Sequence, residues 1–117
     1  MARAAFDAGL AEIRGGVPAI VAHEAAKRVI ADAGMDGYRL HTTGYSIGAG
    51  VPPSWGEPLN MFGGSKDVLR AGMVVSIEPP VFSAEERLGA RIIDNVLVTE
   101  SGAELLSAYP LDLLVVD

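Results

Sequence analysis

The 117-residue sequence contains no cysteine. Disulfide bonds, thiolate nucleophiles and thiolate metal ligands are therefore excluded, and any metal would have to be bound by histidine and carboxylate side chains. No apolar run approaches the roughly 18 residues that a membrane-spanning helix needs. The N-terminus is mixed in character and includes Asp7, which is not the pattern of a signal peptide. We therefore expect a cytoplasmic protein that does not enter a membrane.

The sequence is also poor in positive charge. It has 9 Lys and Arg residues against 15 Asp and Glu residues, which gives a net charge of −6. An acidic surface repels phosphate backbones and anionic lipid headgroups, so neither nucleic acid nor a membrane surface is an expected partner. Half of the residues are hydrophobic, which is enough to form a buried core. Residues 1–117 are therefore expected to form a single domain.

The N-terminal third has the composition of two helices. The first is predicted from about Arg3 to Arg14, where Gly15-Gly16 ends it, and the second from about Pro18 to Ala33-Gly34. One face of the second helix carries small apolar residues, namely Ala22, Ala26, Val29 and Ala33. Such a narrow stripe predicts that this helix packs closely against a sheet.

The remainder of the chain is predicted to combine a long loop with strands. Glycine and proline are frequent from Tyr38 to Gly64, which predicts an irregular and functional loop. Apolar runs predict strands at Met73–Glu78 and Arg91–Thr99, and an edge strand at Leu111–Val116. Two helices followed by a loop and antiparallel strands indicate the α+β class.

Three ionisable side chains are candidates for chemistry, and each has a plainer explanation. His41 precedes the glycine-rich loop, so it could approach a ligand or simply hydrogen-bond to the backbone. Glu78 ends an apolar strand and shares a face with Ser76, so it is either solvent-facing or a buried functional acid. His23, on the polar edge of the second helix, is expected to be a solvated or half-buried histidine without a special role.

Other side chains leave similar alternatives open. Asp94 lies within an apolar strand and is expected on an exposed sheet face or in an ion pair. Tyr45, Trp55 and Phe62 surround the loop and either pack against it or line a substrate pocket. Nucleophile-elbow, phosphate-loop, dinucleotide-binding and zinc-helix motifs are all missing from the sequence.

Three segments form a recognisable set, namely HTTG at 41–44, GMVVSIEPP at 72–80 and GARIIDNVLVTESG at 89–102. In order and spacing they resemble the motifs of the pita-bread metallohydrolases, the family of methionine aminopeptidase, Xaa-Pro aminopeptidase and prolidase. The resemblance covers nearly the whole chain. It implies half of a pita-bread fold, in which two N-terminal helices pack on a curved antiparallel sheet.

The resemblance also implies a catalytic site. Family members use two Asp, one His and two Glu to hold two metal ions, which activate a water molecule for attack on an amide carbonyl. His41 falls on the ligand histidine and Glu78 on the first ligand glutamate, so both are expected to be catalytic metal ligands for Mn, Co or Zn. Tyr45 and Arg91 are expected to contact the substrate, which would be a peptide such as an Xaa-Pro dipeptide or a small amide.

Three departures from the family pattern make the implied metal site incomplete. Ile93 stands where the family has its second ligand glutamate, and Gly48 stands where it has a further histidine. The two ligand aspartates lie upstream of the first helix in the family, so we expect residues 1–117 to be a truncated domain without the upstream strands. The isolated chain is therefore expected to be inactive. A divalent metal is expected if the site is functional, and the alternative is that no metal binds.

Two alternative functions follow from these departures. The chain could be a non-catalytic remnant or a split half that associates with another chain, and uncovered sheet surface predicts a homodimer or a partner chain. The loop from Gly44 to Glu57 also resembles the ectoine hydrolase-like branch of the family, whose members act on small molecules. Creatinase shows that this fold can hydrolyse its substrate without metal, so a small-molecule amide or amidine hydrolase is the third interpretation.

Overall fold

Two helices form the N-terminal part of the chain, as the sequence predicts. We analysed a computed structural model, which describes residues 1–51, 53, 56–113 and 115–116. Helix α1 spans Ala2–Ala11, helix α2 spans Ala19–Asp32, and a short 3-10 turn follows at Asp36–Tyr38. None of the helices in the described part of the chain has the length and apolar character needed to cross a lipid bilayer.

The strands of the described residues are arranged in two antiparallel sheets. They are β1 (Gly44–Ile47), β2 (Gly56–Met61), β3 (Val74–Ile77), β4 (Pro80–Ser83), β5 (Leu88–Arg91), β6 (Asp94–Val98) and β7 (Ala103–Leu105). The larger sheet has five strands in the order β2-β1-β3-β6-β7, and β4 and β5 form a two-stranded sheet. The α+β class is therefore confirmed.

Both helices pack on one face of the larger sheet. Phe6 of α1 and Ala22 of α2 join the buried core that the strands supply through residues such as Ile77. A Cβ atom placed on Gly9 would lie 3.0 Å from the Ile77 Cδ1 atom and 3.4 Å from the Ala22 carbonyl oxygen. The absence of a side chain at this crossing therefore lets α1 lie close to both α2 and the sheet. The predicted alanine stripe of α2 is buried at Ala22 and Ala26, whereas Ala33 is exposed.

The structure corrects three of the predicted elements. The glycine-rich segment is not irregular throughout, because it contains β1 and β2. The predicted strand Arg91–Thr99 is interrupted after Arg91, which pairs with Pro80 in the small sheet. The described residues of Leu111–Val116 form no strand, and the edge strand next to β6 is β7 instead. Each correction concerns pairing between strands, which depends on partners outside the local window.

Alternation along the strands separates two sheet faces. Val75 and Ile77 face the helices, whereas Ser76 and Glu78 belong to the opposite face, as the sequence predicts. Ser76 is paired with Asn95 on β6, and the register of β1 puts Tyr45 beside it on the other side. The face that the helices leave uncovered therefore carries a row of polar side chains.

Asp94 lies on the helix-facing side of β6 with the buried Val96 and Val98. Its carboxylate accepts hydrogen bonds from the Ser107 hydroxyl at 2.7 Å and from the Asn95 backbone N–H at 2.7 Å. The expectation of an exposed sheet face is wrong, because neighbouring donors make burial of this carboxylate tolerable.

Candidate functional site

Glu78 is a buried carboxylate at the end of β3, with 2% of its surface exposed. Its backbone N–H donates a 2.7 Å hydrogen bond to the Thr43 carbonyl oxygen, which ties it to the segment before β1. The Ser76 hydroxyl donates to Glu78 Oε1 at 3.1 Å, and Ser76 Oγ in turn accepts a 3.3 Å hydrogen bond from the Tyr45 backbone N–H. The Tyr45 N–H thus orients the Ser76 hydroxyl, which in turn holds one oxygen of the Glu78 carboxylate.

Arg91 supplies the positive charge that balances this carboxylate. Its Nη1 atom lies 3.2 Å from Glu78 Oε2, and its side chain is 35% exposed while that of Glu78 is 3% exposed. Arg91 can reach Glu78 because β5 pairs with β4, and Pro80 lies directly opposite Arg91. A buried carboxylate needs such compensation, because leaving it unpaired costs several kcal/mol.

These residues line a cavity of about 470 Å³ on the uncovered sheet face. The lining consists of Tyr45, Ile47, Gly48, Gly50, Ser76, Glu78, Arg91, Ile93 and Asn95. Three of the four residues predicted for the site, Tyr45, Glu78 and Arg91, therefore come together. A larger cavity of about 680 Å³ adjoins it and shares Ile47 and Gly48, but it lacks the paired Glu78 and Arg91.

His41 is the predicted site residue that the structure places elsewhere. Its imidazole is exposed, its Nδ1 atom lies 3.2 Å from the Thr42 carbonyl oxygen, and it lines a different cavity with His23. The prediction that His41 and Glu78 form one site is therefore not reproduced. The physical reason is that His41 precedes β1, which starts only at Gly44, so its side chain is not held on the strand face.

The chemistry of the lining does not fit a metal ion by itself. Among the described residues, no cluster of three or more His, Cys, Asp or Glu side chains is arranged to hold one. Among the described residues of the cavity lining, Glu78 is the one carboxylate, and Arg91 already neutralises it. Ile93, which is 47% exposed on the same face, has no donor atom to offer. A divalent cation would need several oxygen or nitrogen ligands and would be repelled by the guanidinium group.

His23 is buried rather than solvated, which the sequence did not indicate. It is 3% exposed, and its Nδ1 atom lies 2.9 Å from the Thr43 hydroxyl. Burial lowers the pKa of the His23 imidazole, and the nearby positive charge of Arg39 lowers it further. The neutral imidazole is therefore favoured.

Sequence reasoning put Ser76 on the face of Glu78 but named neither Ser76 nor Asn95 as a member of the site. Ser76 and Asn95 line the cavity beside Glu78, and the signal that could have found them is the period of two along β3 and β6. Phe62 is exposed and lines the cavity of His23 and His41 instead. Trp55, a candidate for lining a substrate pocket, lies outside the described residues.

Comparison with known proteins shows one consistent family. The model of Metallopeptidase family M24 matches residues 1–100. The chain is 44% identical over 114 residues to the probable dipeptidase PepE of Mycobacterium tuberculosis, covering 97% of this chain and 28% of that protein. It is 41% identical over 111 residues to the agropine synthesis cyclase of Rhizobium rhizogenes, covering 95% of this chain and 27% of that protein.

A solved structure shows the same fold. The crystal structure of dipeptidase PepE from Mycobacterium ulcerans superimposes with a TM-score of 0.87 at 38% identity, and it covers 97% of this chain and 29% of that chain. The half pita-bread architecture predicted from the motifs is therefore confirmed. The chain spans less than a third of the length of these relatives.

Proposed function

Because the chain belongs to Metallopeptidase family M24, we propose that it forms part of a hydrolase of the dipeptidase or Xaa-Pro aminopeptidase type. The proposed reaction is the cleavage of a peptide bond or another small amide by water. The observation that carries this proposal is the buried Glu78 carboxylate, which lines a cavity on the sheet face that the helices leave uncovered. A carboxylate in such a cavity can accept a proton from a water molecule.

The proposed roles of the lining residues follow from their chemistry. Glu78 takes a proton from the attacking water, whose oxygen bonds to the amide carbonyl carbon, and the proton passes to the amine nitrogen as the C–N bond breaks. Arg91 and Tyr45 are the proposed substrate contacts because both line the same cavity. A guanidinium group there suits a substrate that carries a carboxylate.

A dependence on Mn, Co or Zn is proposed only for an assembly that supplies further carboxylates. The described lining offers Glu78 alone to such an ion. We propose that residues 1–117 form only part of a pita-bread domain, in a cytoplasmic protein. The remaining ligands would then come from another chain or from further sequence of a longer native protein.

Association is the first prediction of this proposal. Leu106, Tyr109 and Leu113 are respectively 56%, 67% and 90% exposed, and Ile93 is exposed at the cavity. Exposed apolar surface of this kind favours contact with another polypeptide. We expect a dimer or larger species in multi-angle light scattering at high protein concentration. A monodisperse monomer under those conditions would contradict association between copies.

The second prediction concerns Glu78→Gln. We expect the chain to hydrolyse Xaa-Pro dipeptides or small amides once it has associated with another polypeptide. Glu78→Gln should lower the rate of this hydrolysis by about 10²-fold or more, because an amide cannot accept the proton. The rate is measured by release of the free amine, with Mn, Co, Zn or EDTA present. Glu86→Gln is the matched control, since Glu86 is exposed on the β4–β5 turn and should leave the rate unchanged. Equal rates for both variants would remove Glu78 from the mechanism.

A metal-independent hydrolase of small amides or amidines is the second candidate. It is favoured by the ion pair between Arg91 and Glu78. It is also favoured by Ile93 in the cavity lining, because an isoleucine side chain cannot ligate a metal ion. One relative, the agropine synthesis cyclase, is also named for the synthesis of agropine rather than for a peptide. Cleavage of small amides in EDTA without cleavage of dipeptides would favour this candidate over the peptidase.

A further inference from the structure

A second cavity, separate from the one at Glu78, concentrates the positive charge of this acidic protein. It has a volume of about 510 Å³ and lies between helix α2, the segment before β1 and the turn after β2. Its lining consists of His23, Lys27, Arg39, Leu40, His41, Thr42, Phe62 and Gly63. Both histidines of the chain and two of its 9 Lys and Arg residues are thus in one cavity. No carboxylate occurs among the described residues that line it.

The carboxylates that pair with these cations lie outside the lining. Asp36 Oδ1 accepts a 3.2 Å hydrogen bond from Arg39 Nε, which occupies one edge of the guanidinium group. Glu24 Oε2 lies 3.8 Å from Lys27 Nζ, beyond hydrogen-bonding distance. Arginine has five N–H donors and lysine has three, so each can bind an anion while keeping its carboxylate partner.

His23 lies close to both cations of the cavity and to one carboxylate. Besides burial, the charges of Arg39 and Lys27 both lower the pKa of its imidazole, and only Glu24 opposes them among the neighbouring charges. His23 Nε2 lies 4.0 Å from Glu24 Oε1, and a Cβ atom on Gly63 would lie 3.6 Å from the same nitrogen and 4.0 Å from the same carboxylate oxygen. Gly63 therefore leaves space beside the imidazole, and the Glu24 carboxylate borders the same space. The cations Arg39 and Lys27, and not His23, are therefore the groups that face an anion.

We propose that this cavity is a binding site for a small ligand with a phosphate group. Arg39 and Lys27 would neutralise its charge, and the His41 imidazole at the exposed rim would add a further hydrogen bond. Leu40 and Phe62 provide apolar surface for the rest of the ligand. A dianionic group suits this set better than a single carboxylate, because two permanent cations converge on the cavity. The site is independent of the proposed hydrolase function, since it shares no lining residue with the Glu78 cavity.

Inorganic phosphate is the probe that tests this site. We expect saturable binding of phosphate to the wild-type protein in a calorimeter, and weaker binding of acetate at the same ionic strength. Lys27→Met and Arg39→Gln should each weaken phosphate binding by about fivefold or more, because each removes a charged hydrogen-bond donor. Arg28→Gln is the matched control, since Arg28 is exposed on the same helix, lies outside the lining and carries the same charge. It should change the affinity by less than about twofold.

NMR spectroscopy of the wild-type protein provides a second test of phosphate binding. The imidazole NMR signals of His23 and His41 should shift with phosphate and reach a plateau, whereas sodium chloride at matched ionic strength should not reproduce the shift. Saturation by sulfate with the same affinity would overturn the assignment of the site to phosphate. Absence of a plateau, or the same loss of affinity in Arg28→Gln as in Lys27→Met, would overturn the proposal.

Discussion

Gly44→Ala is expected to lower the free energy of unfolding by about 3 kcal/mol or more, among the largest effects of any single substitution in the chain. Gly44 is the first residue of β1 and pairs with Met61 on β2. A Cβ atom at this position would overlap the Ser76 carbonyl oxygen and the terminal methyl group of Met61. The Met61 side chain could move, but the Ser76 carbonyl belongs to the backbone of β3 and cannot move without disturbing the sheet.

The expected loss would be measured by urea denaturation followed by circular dichroism. Gly37→Ala is the matched control, since a Cβ atom there meets nothing within 4 Å and Gly37 has no positive φ angle. We expect this control to change the free energy of unfolding by less than about 0.5–1 kcal/mol. Similar values for the two variants would show that β1 and β3 can separate to admit a methyl group. Because Ser76 hydrogen-bonds to Glu78, the same displacement would also disturb the candidate active site.

Arg91→Met is expected to lower the free energy of unfolding by about 2–3 kcal/mol. The substitution keeps most of the side-chain volume but removes the cation 3.2 Å from the buried Glu78 carboxylate. An unpaired buried carboxylate is costly, and the partial exposure of Arg91 places the effect below the 3–5 kcal/mol found for fully buried pairs. The prediction therefore depends on Glu78 being left without its charge partner.

A double-mutant cycle in urea isolates this interaction. Adding Glu78→Gln to Arg91→Met should recover part of the lost stability, because a neutral amide needs no cation. Arg28→Met removes an exposed arginine from α2 and should change the free energy of unfolding by less than about 0.5 kcal/mol. If the double variant were as unstable as the sum of the single variants, the ion pair would not contribute the expected coupling.

The position of Glu78 and Ser76 in the site was predictable from the sequence, because both belong to one short segment with the alternation of a strand. The run from Met73 to Glu78 alternates in a way that puts Ser76 and Glu78 on one face, and the structure has them there. Arg91 and Tyr45 were named from motifs, and both line the same cavity as Glu78. The face of Glu78 follows from alternation along the strand, a local property of the backbone, whereas Tyr45 and Arg91 were named because their segments resemble the motifs of a known family.

The placement of the two histidines was less predictable. His41 has a motif around it but lies outside the Glu78 cavity, because no strand holds it at that position. His23 appeared to be an ordinary helix residue, yet Thr43 and the surrounding chain bury it. Both outcomes depend on how the segment before β1 packs against α2, a contact between residues about 20 positions apart.

The sequence by itself determined the two helices, the α+β class, the family and the face of β3 that carries Glu78. Each of these follows from local periodicity, helix-ending residues or motif spacing. Only the tertiary structure decided that the glycine-rich segment forms β1 and β2, that the strand after Arg91 is interrupted, and that Arg91 pairs with Glu78. Those features arise from hydrogen bonds and charges contributed by distant segments, and their energy exists only once the chain has folded.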